Sequence, residues 1–223
     1  MRVRITFSKT GSLKYIGHLD LHSIWERAAR RAGLPLAYTN GFHPQPRIYF
    51  ASALPLGFTS RCEVVDLRFN QAVDLTDLPD RLQSAMPSGI SILHVDGVDE
   101  LSPALQTQVV AAEYEVTLLG NLIIPAEPAM SHPPDQAIGS AAAHLQQRTK
   151  ELLDRSSIPH ERRGKAYDLR PLIEKLEILS EDKILMRLAA REAATGRPEE
   201  VLAALEIALE DVRIERISLI FQG

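Results

Sequence analysis

The hydrophobic pattern of this 223-residue sequence predicts an α+β protein built as two tandem ferredoxin-like units, each a β-α-β-β-α-β run with an antiparallel sheet and its helices on one face. Three observations predict it. Apolar residues alternate with period two in several short runs; between those runs they recur at three and four; and the same order occurs twice. A stretch crowded with Asp96, Gly97, Asp99, Glu100, Ser102 and Pro103 divides the repeats. The predicted organisation is a first domain over 1–95, a linker over 96–111 and a second domain over 112–223.

Val3 to Phe7 alternates as a strand and is followed by the turn Ser8-Lys9-Thr10-Gly11. Leu13 to Ala32 reads as a helix, with Leu21, Ile24, Trp25, Ala28 and Ala32 on one stripe, stopped by Gly33-Leu34-Pro35. Leu36 to Thr39 reads as a second strand. A third is expected from Arg47 to Leu54, resuming from Cys62 to Phe69 after a bend over 55–60. A helix over Leu75–Met86, with Thr76 as cap, and a strand over Gly89–Val95 complete the first unit. In the second, Glu113–Leu119 reads as a strand, 125–134 as a proline-rich loop and Ala137–Arg155 as a helix with Ile138, Ala141, Leu145, Leu152 and Leu153 inward. Strands over Tyr167–Ile178 and Lys183–Ala189, a helix over Glu199–Leu209 and a strand over Ile214–Phe221 follow. Asp168-Leu169-Arg170-Pro171 also fits a turn entering a short helix, because proline suits the first helical position.

The densest punctuation lies between Tyr38 and Gly57. Asn40-Gly41 signals a turn, and Pro44 and Pro46 fix φ and lack amide protons, so residues 42–47 belong neither to a helix interior nor to a central strand. A stiff, exposed loop follows, holding Phe42, His43, Gln45 and Arg47 outward. Equally open is a plainer role in which Phe42 staples the loop to the core and His43 caps a carbonyl.

Hydrophobic residues at 45% and charged residues at 24% fit a soluble globular protein. No apolar run approaches a membrane span, so a cytoplasmic location without membrane contact is expected. One cysteine, Cys62, excludes an internal disulfide, a cysteine-rich zinc site and the thiolates that an iron–sulfur cluster normally needs. No cofactor is expected in this chain. The net charge of −4 hides an asymmetry: residues 1–70 hold ten Lys/Arg against four Asp/Glu, while the remainder holds fifteen against twenty-five. A second basic island, 148–175, holds eight against five. Two basic patches on an acidic chain suggest polyanion contact at defined places; solvated faces are the alternative.

On the first helix Ser23, Arg27, Arg30 and Arg31 share one side, where Arg27 and Arg31 repel and only Glu26 to Arg30 is a favourable pair. Either a polyanion or acids such as Glu63 and Asp66 would offset that repulsion. In the second half, Arg162 to Pro171 reads as a phosphate-gripping segment, with Gly164 permitting close approach and Asp168 orienting Arg170. A surface hairpin is the alternative. His18 and His22 have helical spacing for sharing a cation but lack a third ligand, so no metal site is expected. His18 or His43 beside arginines would suit acid–base cleavage of RNA.

Leu13-Lys-Tyr-Ile-Gly-His-Leu-Asp-Leu21, Arg27-Ala-Ala-Arg-Arg-Ala-Gly-Leu-Pro35, Gly41-Phe-His-Pro-Gln-Pro-Arg47, Ala53-Leu-Pro-Leu-Gly57, Glu63, Asp66 and Lys165-Ala-Tyr-Asp-Leu-Arg-Pro171 together resemble the radical SAM-linked protein family, or DUF2344 domain. Members occur fused to or encoded beside a radical SAM protein, so the resemblance implies such a partner. The function expected is a non-enzymatic adaptor that presents an RNA, tRNA or rRNA, to that enzyme. Lys14, Arg27, Arg30 and Arg31 would hold phosphates, Phe42 would stack, His43 and Arg47 would hydrogen-bond, and Lys165 and Arg170 would form a second clamp. An RNA endonuclease using His43 or His18 and a protein-only scaffold are the alternatives.

Overall fold

The computed structural model describes residues 1–120 and 134–222, with side-chain positions from 143 onward in the second of these segments. The proline-rich loop expected over 125–134 and the inward positions expected for Ile138 and Ala141 lie outside that description. The fold is mixed α/β, with mostly antiparallel pairing and five α-helices among the described residues. None of those helices is long and apolar enough to cross a membrane. The chain divides into two compact units, Met1–Val110 with Arg216–Gly223, and Ala111–Glu215.

The first unit contains β1 (Arg2–Lys9), α1 (His18–Arg31), β2 (Ile48–Phe50), β3 (Thr59–Arg68), α2 (Leu78–Ala85), β4 (Ile90–Val98) and α3 (Leu105–Gln108). Its strands lie in the order β4-β1-β3-β2, every neighbour antiparallel. Alternation on β1 turns Val3, Ile5 and Phe7 to one face, where Val65 and Leu67 of β3, Leu21 and Trp25 of α1 and Leu78 and Leu82 of α2 close the core. Phe7 meets Trp25 edge-on, with ring centroids 4.9 Å apart.

The other face of this sheet is polar. Register places Arg4 and Tyr49 opposite Asp66, and Arg2 opposite Arg68. Arg2 donates to one Asp66 oxygen at 2.9 and 2.6 Å and to the carbonyls of Ser102 and Pro103 at 2.8 and 2.9 Å. Arg4 adds a bond to the second Asp66 oxygen at 2.9 Å. The stretch 96–111 therefore carries the end of β4, the two carbonyls held by Arg2, and the buried Leu105.

Several boundaries differ from the sequence reading. The first helix does not begin at Leu13: Gly11–Tyr15 is a 3-10 turn, Ile16 and Gly17 are extended, and α1 starts at His18. Its end is as expected. Gly33 at φ 65° donates to the Arg30 carbonyl and Leu34 to that of Ala29, a Schellman cap. Leu36–Thr39 makes two isolated bridges instead of a strand, because prolines 35, 44 and 46 withhold ladder donors. The second strand is Ile48–Phe50. At α2, Thr76 is not the cap; its amide donates to Asp74 at 2.8 Å, and the helix opens two residues later beside Pro79.

The chain continues with β5 (Val109–Leu118), α4 (Pro134–Asp154), β6 (Pro159–Arg162), β7 (Lys165–Asp168), β8 (Ile173–Ser180), β9 (Lys183–Arg191), β10 (Ala194–Thr195), α5 (Pro198–Ala204) and β11 (Val212–Phe221), of which β5 from Ala111 onward and β11 up to Glu215 belong to the second unit. Within the second unit the main strands lie in the order β8-β9-β5. The expected strand 167–178 is two elements. Asp168 accepts from the amides of Ile158 and Arg170 at 2.7 and 2.9 Å, and Pro171 lies in a 3-10 turn, Arg170–Leu172, before β8. β6 and β7 form a separate hairpin whose tip, Arg163 and Gly164, has φ of 54° and 76°, the type I′ signature. The last helix stops at Ala204, five residues before its expected end, because Glu206 turns left-handed at φ 56°.

Asp66→Leu leaves Arg2 buried without its counter-charge and is expected to destabilise the protein by about 3–5 kcal/mol in urea denaturation. Arg2→Met combined with Asp66→Leu should recover most of that loss, since the buried charge is then gone. Equal loss in both variants would show that the pair contributes through its backbone bonds instead.

Candidate nucleic-acid interface

Helix α1 presents its arginines as its periodicity implies. Leu21, Trp25, Ala28 and Ala29 face the core, while Arg27, Arg30 and Arg31 are exposed. Arg30 approaches Glu26 at 3.9 Å on a largely solvated surface, where such pairs contribute little. Arg27 has no ion-pair partner among the described residues. Arg31 is engaged, donating to the Ala85 carbonyl at the end of α2, where a cation also suits the helix dipole. It lines a cleft of about 380 Å³ with Arg81 and Met86. Glu63 and Asp66 do not relieve the repulsion on α1; Glu63 holds Arg216 and Asp66 holds Arg2 and Arg4. Lys14, half-buried in the 3-10 turn, sets its ammonium 5.0 Å from the Tyr15 ring centroid.

The loop after Tyr38 is tied at its base. The Thr39 amide donates to the Gln45 carbonyl at 2.8 Å, and the Gln45 amide donates to the Thr39 hydroxyl at 2.9 Å. Gly41 takes φ 126° at the tip. Phe42 is not a staple: its relative exposure is 102%, and His43 beside it is exposed too. Arg47 is not at the tip. Its amide donates to Ala37 at 2.8 Å, its carbonyl accepts from Arg68 at 3.1 Å, and its half-buried side chain turns into a cavity of about 470 Å³.

A polar cluster that sequence reasoning missed lies beside the start of α1. His18 and His22 both pack edge-on against Phe50, with ring centroids 5.2 and 6.4 Å away. Nearby, Glu63 and Arg216, 2% and 1% exposed, pair at 3.0 Å, and Arg216 also donates to the Ala53 carbonyl at 2.7 Å. Lys9 is buried with them and donates to the Ile16 carbonyl at 3.4 Å. Burial draws the Lys9 ammonium down, Glu63 opposes that shift and Arg216 adds to it. The signal was present: Val3, Ile5, Phe7 and Lys9 share one register on β1, and Ile214 and Arg216 share one on β11. A charge in an inward register needs a buried partner. His18 is shifted down by burial first and by His22 second, against an opposing pull from Glu63. Burial pushes the Cys62 thiol up to about 11. Among the described residues no three histidine, cysteine or acidic side chains are placed to hold a metal ion.

In the second unit Lys165 is exposed on β7, but Arg170 is engaged. It donates to the carbonyls of Leu153 at 3.0 Å and Ile173 at 3.3 Å, fastening the end of α4 to the 3-10 turn. Asp168 binds two backbone amides, which hold its carboxyl below the usual range. Arg162 reaches Glu200 at 2.8 and 2.5 Å and the Tyr167 hydroxyl at 3.2 Å. Lys165 remains as the solvated cation of the predicted clamp.

The family described as "Uncharacterized protein conserved in bacteria", DUF2344, matches residues 2–198. No curated protein matches the chain.

Two of these perturbed side chains give tests. With its folded pKa below the unfolded value, His18 contributes stability that is full above about pH 6.5 and declines as the pH falls toward its folded pKa, because the unfolded chain then binds the extra proton. Urea midpoints should fall between pH 7 and 5 in the wild type and fall less in His18→Gln. Cys62, held as the thiol, should react with a disulfide reagent at pH 8 far more slowly in the folded than in the urea-unfolded protein.

Proposed function

Since the chain belongs to the DUF2344 family of bacterial proteins, we propose that it is a non-enzymatic RNA-binding adaptor that presents an RNA, tRNA or rRNA, to a radical SAM modification enzyme in the cytoplasm. The observation that carries this reading is Phe42, fully exposed at the tip of a proline-stiffened loop whose base is pinned by two hydrogen bonds. An aromatic ring held rigidly in water gains most from a flat π-face, and an unstacked base supplies one. His43 stands beside it, and on α1 Arg27, without an ion-pair partner among the described residues, and the solvated Arg30, only loosely paired with Glu26, add charge suited to phosphates. Arg31 and Arg170 are tied to carbonyls and supply less.

We read the strand orders β4-β1-β3-β2 and β11-β5-β9-β8 as two ferredoxin-like units by chain order, over 1–95 and 112–223, the second carrying the β6–β7 hairpin as an insertion, with Arg216–Gly223 counted in the first compact unit by its contacts. The radical SAM link rests on a resemblance that spans nearly the whole chain and is specific in its first sixty-odd residues, and with one cysteine in this chain the cluster belongs to the partner. An endonuclease needs two groups converging on one phosphate. His18 packs against Phe50 and His43 stands exposed on the loop, so the geometry favours binding over cleavage.

Filter binding of small RNA at two salt concentrations tests the reading. Phe42→Ala should weaken binding by about 1–3 kcal/mol with an unchanged unfolding midpoint. Arg27→Ala with Arg30→Ala should lower the salt slope by about 2. Salt-insensitive or absent RNA binding by the wild type would refute the adaptor, and shortened RNA lost in His43→Ala would replace it with the nuclease.

A further inference from the structure

The polar face of the first unit's sheet carries a second, separate feature. Arg2, Arg47, Tyr49, Asp66 and Arg68 line one cavity of about 470 Å³, walled on its far side by Ser102 to Gln106. That volume lies within the range of small-ligand sites. Its charge is positive, three arginines against one carboxylate. Arg2 is fully committed to Asp66 and the 102–103 carbonyls, and Arg68 pairs with Glu100. Arg47 is different: its Nε is buried with no hydrogen-bond partner among the described residues, although its backbone is fixed at both its amide and its carbonyl. The Nη groups of Arg47 likewise make no hydrogen bond or ion pair among the described residues, and an anion entering the cavity that Arg47 lines supplies them with an acceptor. Two residues on, Tyr49 is 40% exposed on a strand, opposite Asp66. An aromatic ring held on a sheet face beside arginines is the arrangement that stacks a base.

We propose that this cavity is a nucleotide site: it takes a nucleoside phosphate, with the phosphate on Arg47 and the base against Tyr49. Gln106 and Thr39 on the rim supply polar groups for the sugar and base edges. Asp66 does not repel the ligand, because Arg2 and Arg4 already saturate it. The site differs from the Phe42 tip and the α1 arginines, and it stands whether or not those bind RNA.

Calorimetric titration of the full chain with UMP, AMP, uridine and inorganic phosphate tests it. One-site saturation by a nucleotide, with uridine and phosphate each weaker, is the expected result. Arg47→Gln should weaken nucleotide binding at least about tenfold, and Tyr49→Ala by a similar factor, while Tyr49→Phe retains it. Circular dichroism checks folding; should Arg47→Gln unfold, the two Tyr49 variants decide. No saturation by about 5 mM nucleotide, or unchanged binding in Arg47→Gln and Tyr49→Ala, would overturn the assignment. Displacement of UMP by an RNA oligonucleotide places an RNA nucleotide in the cavity, and a preference for a 5′-phosphorylated over a 5′-hydroxyl oligonucleotide assigns it to an RNA end. UMP binding that RNA does not displace assigns the cavity to free nucleotides. Nucleotide binding in a protein without RNA affinity would refute the adaptor and leave this site standing.

Discussion

A single carboxylate, Asp66, organises the polar side of the first unit. It is almost wholly buried, and a buried charge is tolerable only when opposite charge and hydrogen bonds surround it. Arg2 and Arg4 supply both from the neighbouring strand. Because Arg2 simultaneously donates to Ser102 and Pro103, neutralising Asp66 also fixes the chain segment that walls the Arg47 cavity. The ion pair thus acts less as a stability element than as a spacer: it sets where a polar stretch lies against a sheet face.

The arginines of this protein fall into two kinds. Arg2, Arg162 and Arg216 are structural, each bound to a carboxylate and to one or more backbone carbonyls. Such multiple donation is what the planar guanidinium offers and an ammonium does not. Arg27 and Arg30 project into solvent with little or no neutralisation, so their field extends outward. Arg47 lies between these classes, with a fixed backbone and an unsatisfied nitrogen.

Much of this was legible. Gly33-Leu34-Pro35 stops α1 because a left-handed residue must close the cap, and only the glycine there takes that conformation without strain. Period-two alternation located β1, β9 and β11 within a few residues. Legibility failed where tertiary partners decide. Leu36–Thr39 has strand composition but neighbours a proline cluster; Leu13 continues the helical stripe, yet the chain breaks at Gly17. The candidate site was half readable: punctuation alone marked the 38–47 loop as special, but only the folded chain reveals that Arg47 and Tyr49 line one cavity and that Phe42 is fully exposed.

The first unit is not contiguous in the chain: Met1–Val110 is completed by Arg216–Gly223. Its buried Glu63 meets Arg216 across 153 residues of sequence. At ordinary elongation rates that interval lasts roughly 8–30 s, during which the nascent unit carries a carboxylate destined for burial without its guanidinium. The first unit is therefore begun before the second and completed after it, so vectorial synthesis leaves it dependent on solvent, or on a chaperone, for as long as the ribosome is still translating the second.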